Sequence, residues 1–175
     1  IQIEFRWAGG NIERARILAK ELIGLNPDVL LGRSTPTTAA LKAETNSIPI
    51  IFVNVAEPIS SGFVESLIRP GGNLTGFTNF DGSIGAKWLQ LLKEVAPNTT
   101  RVASIYNPQT APFAASFLES TKSAASSLGV ETIAVPVVDD ADIEASLTTF
   151  SRQPAGGLIA IPDSFTMEHR HVIIA

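Results

Sequence analysis

The stretch DVLLGRSTPTTAAL, residues 28–41, decides the class of fold, because an apolar run ends in a polar turn and a proline then opens a helical pattern. The residues of 28–31 suit a buried parallel strand, Ser34 and Thr35 carry hydroxyls suited to capping, and Pro36 fits the first helical position, where its missing N–H costs nothing. Strand, turn and helix follow in immediate succession. Such a turn presents backbone N–H groups and hydroxyls at the positive end of a helix, where a carboxylate or another anion is held favourably. The competing reading is that the hydroxyls only cap the helix.

Working outward, the same rhythm recurs along the chain. Residues 1–6 alternate Ile1, Ile3 and Phe5 with Gln2, Glu4 and Arg6, the pattern of an edge strand. After Gly9-Gly10, Asn11 is placed to cap a helix carrying Ile12, Ala15, Leu18, Ala19, Leu22 and Ile23, which Pro27 closes. A strand over 28–33, a helix over 36–45 and a strand over 48–54, apolar on both faces, come next. Residues 56–67 read as a helix begun by Pro58 with Ile59, Phe63, Val64 and Leu67 inward, and RPGGN, residues 69–73, reads as a reversal.

A strand over 74–80 leads to a helix from Gly82 or Ser83, with Ile84, Trp88, Leu91, Leu92 and Val95 as its buried stripe. The second series is a strand over 101–106, a helix over 110–128 ended by Gly129, a strand over 130–137, a helix over 140–152 and a strand over 157–162. Asp163-Ser164 then caps a last helix. Strands spaced by helices predict an α/β protein of right-handed βαβ units. The segment 81–97 suits a crossover near a hinge, which divides the chain into a first lobe over 1–80 and a second over 98–175.

Composition narrows the function. With 45% hydrophobic and 17% charged residues the chain builds cores, and a net charge of −4 without any Lys/Arg run argues against nucleic acid as partner. The absence of Cys excludes disulfides, thiolate metal sites and a Cys nucleophile. Neither a GxGxxG fingerprint nor a P-loop nor a GxSxG elbow occurs, and RPGGNLTG lacks the lysine of a phosphate loop. His169 and His171 stand two apart, on different faces of a helix, and read as surface residues. No cofactor, metal site or catalytic set is indicated; Glu57 and Asp163 form the one conceivable acid/base pair, with no nucleophile beside them.

In open parallel sheets ligands lie beyond the carboxyl ends of the strands. The residues there include Trp7, Arg33, Ser34, Thr35, Asn54, Glu57, Asn79, Phe80, Tyr106, Asn107, Pro136, Asp163 and Ser164, a set of amides, hydroxyls and carboxylates fit for a small polar or zwitterionic molecule.

Four runs also carry a family likeness: PDVLLGRSTPTTAALKAET, SIPIIFVNVAEPISSGFVESLIRPGGNLTGFTNF, GAKWLQLLKEVAPNTTRVASIYNP and AGGLIAIPD. Together they resemble the ABC transporter substrate-binding protein family typified by tryptophan- and tyrosine-binding members. The resemblance implies a type I periplasmic-binding (Rossmann-like) fold of two open parallel-sheet lobes, both incomplete here: lobe one without its first strand and helix, lobe two truncated. It further implies a ligand in an interlobe cleft, delivery to a membrane permease, and a periplasmic or lipid-anchored extracellular location. The same fold also serves as a ligand-sensing domain in regulatory proteins.

By position, Ser34 and Thr35 match the family's Thr-Pro helix start. Glu57 stands where Asp-Pro is usual, Asn79 follows the strand toward the hinge, and Asn107 and Asp163 match the Asn-Pro and Pro-Asp turns. Ser34 and Thr35 are thereby expected to meet an anionic group, and Asp163 or Glu57 an amine. Arg33 and the longer Glu57 depart from the family pattern and bear on specificity.

Overall fold

A computed structural model describes residues 1–175 as two compact units, Ile1–Phe80 and Asp81–Ala175. The first holds α1 (Ile12–Gly24), β1 (Leu30–Arg33), α2 (Thr35–Glu44), β2 (Ile50–Val55) and β3 (Leu74–Thr78), with the strands parallel in the order β1-β2-β3. Asn11 caps α1 as the sequence predicts, its side chain accepting from Arg14 N at 2.8 Å. Ala15 and Ala19 are the fully buried residues of α1, and such small side chains let it lie close to α2. Beneath the helices, Leu30, Leu41, Ile50, Phe52, Val55 and Leu74 form one core.

Three expectations for this unit are corrected. Residues 1–6 pair with no strand and their apolar side chains stay exposed. Alternation fixes which face a side chain takes, but a strand exists only where a neighbour completes its ladder. Here Arg6 instead reaches Glu21 on α1 at 3.2 Å. Residues 56–67 form turns and no helix: Glu57 (φ 49°) and Gly62 (φ 70°) interrupt the helical path, and Ser61 N to Glu57 O at 2.9 Å closes a single turn. Phe63 and Val64 are still inward, whereas Ile59 and Leu67 are exposed. Finally, β1 buries only alternate residues, Leu30 and Gly32, and leaves Leu31 in solvent.

The second unit holds α3 (Ile84–Val95), β4 (Arg101–Tyr106), α4 (Ala114–Leu128), β5 (Glu131–Pro136), α5 (Asp140–Ser151), β6 (Gly156–Ala160), α6 (Ser164–Glu168) and α7 (Arg170–Ile173). Its parallel sheet has the order β5-β4-β6, so the chain contains six strands where the sequence pattern suggested seven. The central strand β4 is buried through Val102, Ala103, Ser104 and Ile105. Gly129 ends α4 in the left-handed conformation (φ 63°), its N–H returning to Ala125 and Ser126 carbonyls. Asp139 caps α5 by accepting from Asp142 N at 2.8 Å. The loop after β4 delays α4 to Ala114, four residues beyond the predicted start at 110.

The segment 81–97 packs as α3 on α4. Gly85 makes the approach possible, since a Cβ there would stand 2.6 Å from Phe117 O. Trp88 stacks on Phe117 with centroids 5.5 Å apart, and the Ser120 hydroxyl accepts from Ala86 N at 3.1 Å while donating to Ser83 O at 3.1 Å. The buried face is Gly85 and Leu89, flanked by Trp88 and Leu92, while Leu91 and Val95 are exposed. The apolar residues of α3 cover more of its circumference than one neighbouring helix can bury, and the close contact at Gly85 decides which part goes inside.

Replacing Leu89, which is 0% exposed, by Ala is expected to cost about 2–5 kcal/mol, whereas Val95→Ala, at a position 85% exposed, stays within about 0.5 kcal/mol; urea unfolding of the two variants checks the assignment.

Candidate functional site

In the first unit the carboxyl ends of the strands gather unusual backbone. Ser34, between β1 and α2, lies at φ 82°, ψ 158°, a region almost reserved for glycine. Asn54 (φ 56°) sits in the irregularity between Val53 and Val55 of β2, and Glu57 (φ 49°) follows that strand. Three of the chain's non-glycine residues with positive φ therefore lie at this edge. Backbone in such conformations costs about 1–3 kcal/mol each, and it persists where the surrounding contacts over-determine it.

Those contacts are visible at Ser34. Its N–H donates to Val53 O at 3.0 Å, and its carbonyl accepts from Thr38 N at 3.1 Å and from the buried Thr38 hydroxyl at 2.8 Å. The expected capping role of the Ser34 hydroxyl is corrected: it makes no cap hydrogen bond and lies 3.3 Å from the Thr37 hydroxyl. Thr35 is the first residue of α2 and is buried, and Pro36 falls one position later than predicted. The Ser34 hydroxyl is thus not committed to the backbone. Asn79, after β3, donates from Nδ2 to Asn54 Oδ1 at 2.8 Å and accepts from Phe80 N at 2.9 Å. Asn54 is a residue that the sequence placed at the strand end without assigning it a role; its φ was the signal, and only the backbone shows it. Arg33 ends β1 with its side chain exposed.

In the second unit the carboxyl ends of β4 and β6 are tied together. Asn107 is buried, and its Oδ1 accepts from Gln109 N at 2.8 Å and Thr110 N at 3.3 Å, which shapes the loop into α4. The Thr110 hydroxyl, also buried, donates to Asp163 Oδ1 at 3.1 Å. Asp163 caps α6 as predicted: Oδ1 also accepts from Thr166 N at 2.9 Å, and Asp163 N donates to the Thr166 hydroxyl at 3.1 Å, a complete capping box. Asn107 and Asp163, both singled out by sequence, are thereby brought together. Thr110, which the sequence gave only as a helix start, is the link.

The remaining carboxylate oxygen, Asp163 Oδ2, is buried without a hydrogen bond of good geometry, and so is the neighbouring Ser164 hydroxyl. Burial raises the Asp163 pKa above the ordinary carboxylate value, opposed by the Thr166 N–H, the Thr110 hydroxyl and, further down, the Phe165 and Asn107 amides. A buried acceptor left unpaired is costly, and it matches a donor brought by another molecule. The two histidines stand apart from this cluster: His169 stacks on Phe165 at 4.1 Å and pairs with Asp140, and His171 is exposed. No group of three or more His, Cys, Asp or Glu side chains is arranged to hold a metal ion.

Parallel strands flanked by helices, with the polar residues gathered on the loops at the strands' carboxyl ends, define the class: an α/β ligand-binding fold of the type I periplasmic-binding kind. A conserved domain protein from Vibrio cholerae O1 biovar eltor superposes with a TM-score of 0.88 at 30% identity, over 99% of this chain and 57% of that one. An ABC domain from Streptococcus pneumonia, solved in complex with L-Trp, superposes with the same TM-score of 0.88 at 20% identity and the same coverage of 99% and 57%.

The model of the family described as ABC transporter substrate binding protein matches residues 1–174, and the chain belongs to that family. A tyrosine-binding protein from Clostridioides difficile (strain R20291) is 34% identical over 107 residues, 61% of this chain and 30% of that protein. The chain thus spans less than two thirds of the length of each of these relatives.

Two outcomes follow from the site geometry. Because the folded protein raises the Asp163 pKa, the carboxylate destabilises the fold at pH above that raised value, and the penalty disappears below the ordinary carboxylate pKa of the unfolded chain. Asp163→Asn keeps the Oδ1 acceptor and cannot ionise, so its melting temperature is expected to exceed wild type at pH 7 and to converge with it as the pH falls below 4, by calorimetry across pH. Ser34→Gly relieves the backbone at φ 82° and is expected to stabilise by about 1 kcal/mol in urea unfolding.

Proposed function

We propose that the protein carrying this chain is the substrate-binding component of an ABC-type importer, taking an amino acid or a related carboxylate. It works as a binder without catalysis, outside the cytoplasmic membrane, and hands its ligand to a membrane permease. Family membership supports the class, and the relatives named for tyrosine binding and solved with L-Trp support an amino acid as ligand. No helix of the chain is long and apolar enough to cross a membrane.

The observation that carries the ligand chemistry is Asp163 Oδ2, a buried carboxylate oxygen without a hydrogen bond of good geometry. Its complement is an ammonium group, which forms a charge-assisted hydrogen bond about twice as strong as a neutral one. In the first unit, Ser34 and Thr35 stand at the N-terminal end of the ten-residue α2, and the Asn79 amide lies at the end of β3. Hydroxyls, an amide and a helix N-terminus are complementary to a carboxylate. Glu57, following β2, is the second carboxylate that this reading assigns to an amine, and with Arg33 it modulates which side chain is accepted.

The test is calorimetric titration and thermal shift of the full-length protein with L-tyrosine, L-tryptophan, tryptamine and indole-3-propionate. The amino acids are expected to bind and stabilise. Asp163→Asn is expected to weaken them at least tenfold while leaving indole-3-propionate, which has no ammonium, unchanged. If none of the four stabilises the wild-type protein, the amino-acid reading fails.

A further inference from the structure

Asp163 is held from two directions, and one of them is unexplained by the fold. The capping box of α6 accounts for the Thr166 N–H on Oδ1. The Thr110 hydroxyl comes from the β4–α4 loop, 53 residues away in sequence, and donates to that same oxygen at 3.1 Å. Thr110 is 3% exposed, so the hydroxyl is dedicated to this contact. Its own position is fixed by its N–H on Asn107 Oδ1 at 3.3 Å and by Ala111 N on Asn107 O at 2.9 Å. Both donors converge on Oδ1 and leave Oδ2 without a hydrogen bond of good geometry.

From this convergence we infer that Thr110 is a positioning residue for ligand binding, which locks the Asp163 carboxylate so that Oδ2 is presented to the ligand's ammonium. The inference rests on the reading of Asp163 given above. The physical need is plain: rotation about χ2 of an aspartate is broad, so a single donor does not hold the two oxygens apart in role. Two donors from separate elements do, and they turn a capping residue into a directed acceptor. The Thr110 hydroxyl also favours the ionised form of a carboxyl that burial pushes toward protonation. The influences on its protonation are burial and the N–H and O–H donors of Thr166, Thr110, Phe165 and Asn107, with no charged side chain among them. Loss of the hydroxyl is therefore not masked by a neighbouring ion pair.

A purely structural staple between the β4–α4 loop and α6 would give a different signature. The experiment compares Thr110→Val, which keeps the shape without the donor, with Thr110→Ser, which keeps the donor, in the full-length protein. Carboxyl 13C titration without ligand is expected to show the Asp163 pKa raised further in Thr110→Val and restored in Thr110→Ser. Dissociation constants for L-tyrosine and L-tryptophan are expected to weaken about tenfold in Thr110→Val, with the loss growing as the pH is lowered toward that pKa, and to return close to wild type in Thr110→Ser. Thr110→Ala supplies the same comparison should valine misfit the loop.

An unchanged Asp163 pKa in Thr110→Val, or a loss of affinity equal at every pH, overturns the inference. Binding that Asp163→Asn weakens and Thr110→Val leaves intact overturns it while sparing the amino-acid reading. Wild-type protein that binds neither amino acid overturns both.

Discussion

In the second unit β4 is hydrogen-bonded on both sides, pairing Arg101 to Tyr106 with β5 and Arg101 to Ile105 with β6 in unbroken register. The part of the candidate site that this unit carries depends on that double ladder. Parallel pairing puts the carboxyl ends of neighbouring strands side by side, so the loop after β4 and the turn after β6 meet although they are far apart in sequence. Ile105 opposite Ala160 sets the register that lets Thr110 reach Asp163. A slip of one residue would send the alternating side chains of β4 to the wrong faces and separate the pair.

The first unit obeys the same constraint with a different outcome. Its central strand, β2, is interrupted between Val53 and Val55, and Asn54 takes the left-handed conformation there. Irregularities of this kind re-aim side chains at the end of a strand. Asn54 is thereby turned to meet Asn79 across the ladder. Together with Ser34 and Glu57, strained backbone collects at the carboxyl edge, while cores such as Phe52, Leu41 and Ile50 are apolar and fully buried. Stability is supplied by the sheet and its helices, and the loops at one edge hold the conformations that an optimised fold would avoid.

The sequence was most informative where one residue acts on its near neighbours. Asn11, Gly129 and the Asp163 cap all stand where local pattern put them, because caps are decided within three or four residues. It misled where two requirements competed. The apolar spacing of residues 56–67 fits a helix, yet Gly62 and the positive φ of Glu57 divert the chain, and only Phe63 and Val64 keep their inward places. On α3 the widest apolar stripe was legible, but Gly85 chose its buried centre by admitting Phe117. Of the candidate site, Asn107 and Asp163 were readable as strand-end polar residues, whereas Thr110 was not.

By itself, then, the sequence determined the α/β alternation and the caps at Asn11, Gly129 and Asp163, since these rest on short periodicities and local hydrogen bonds, and four of its runs carried the likeness to the family. Tertiary structure alone decided that residues 1–6 form no strand, that α3 buries Leu89 and exposes Val95, and that Thr110 and Thr166 converge on one oxygen of Asp163 and leave the other without a well-formed hydrogen bond. The reason is common to all three: a strand needs a partner, a helix face needs a neighbour, and a carboxylate needs donors, and each of these comes from a part of the chain that local pattern does not connect.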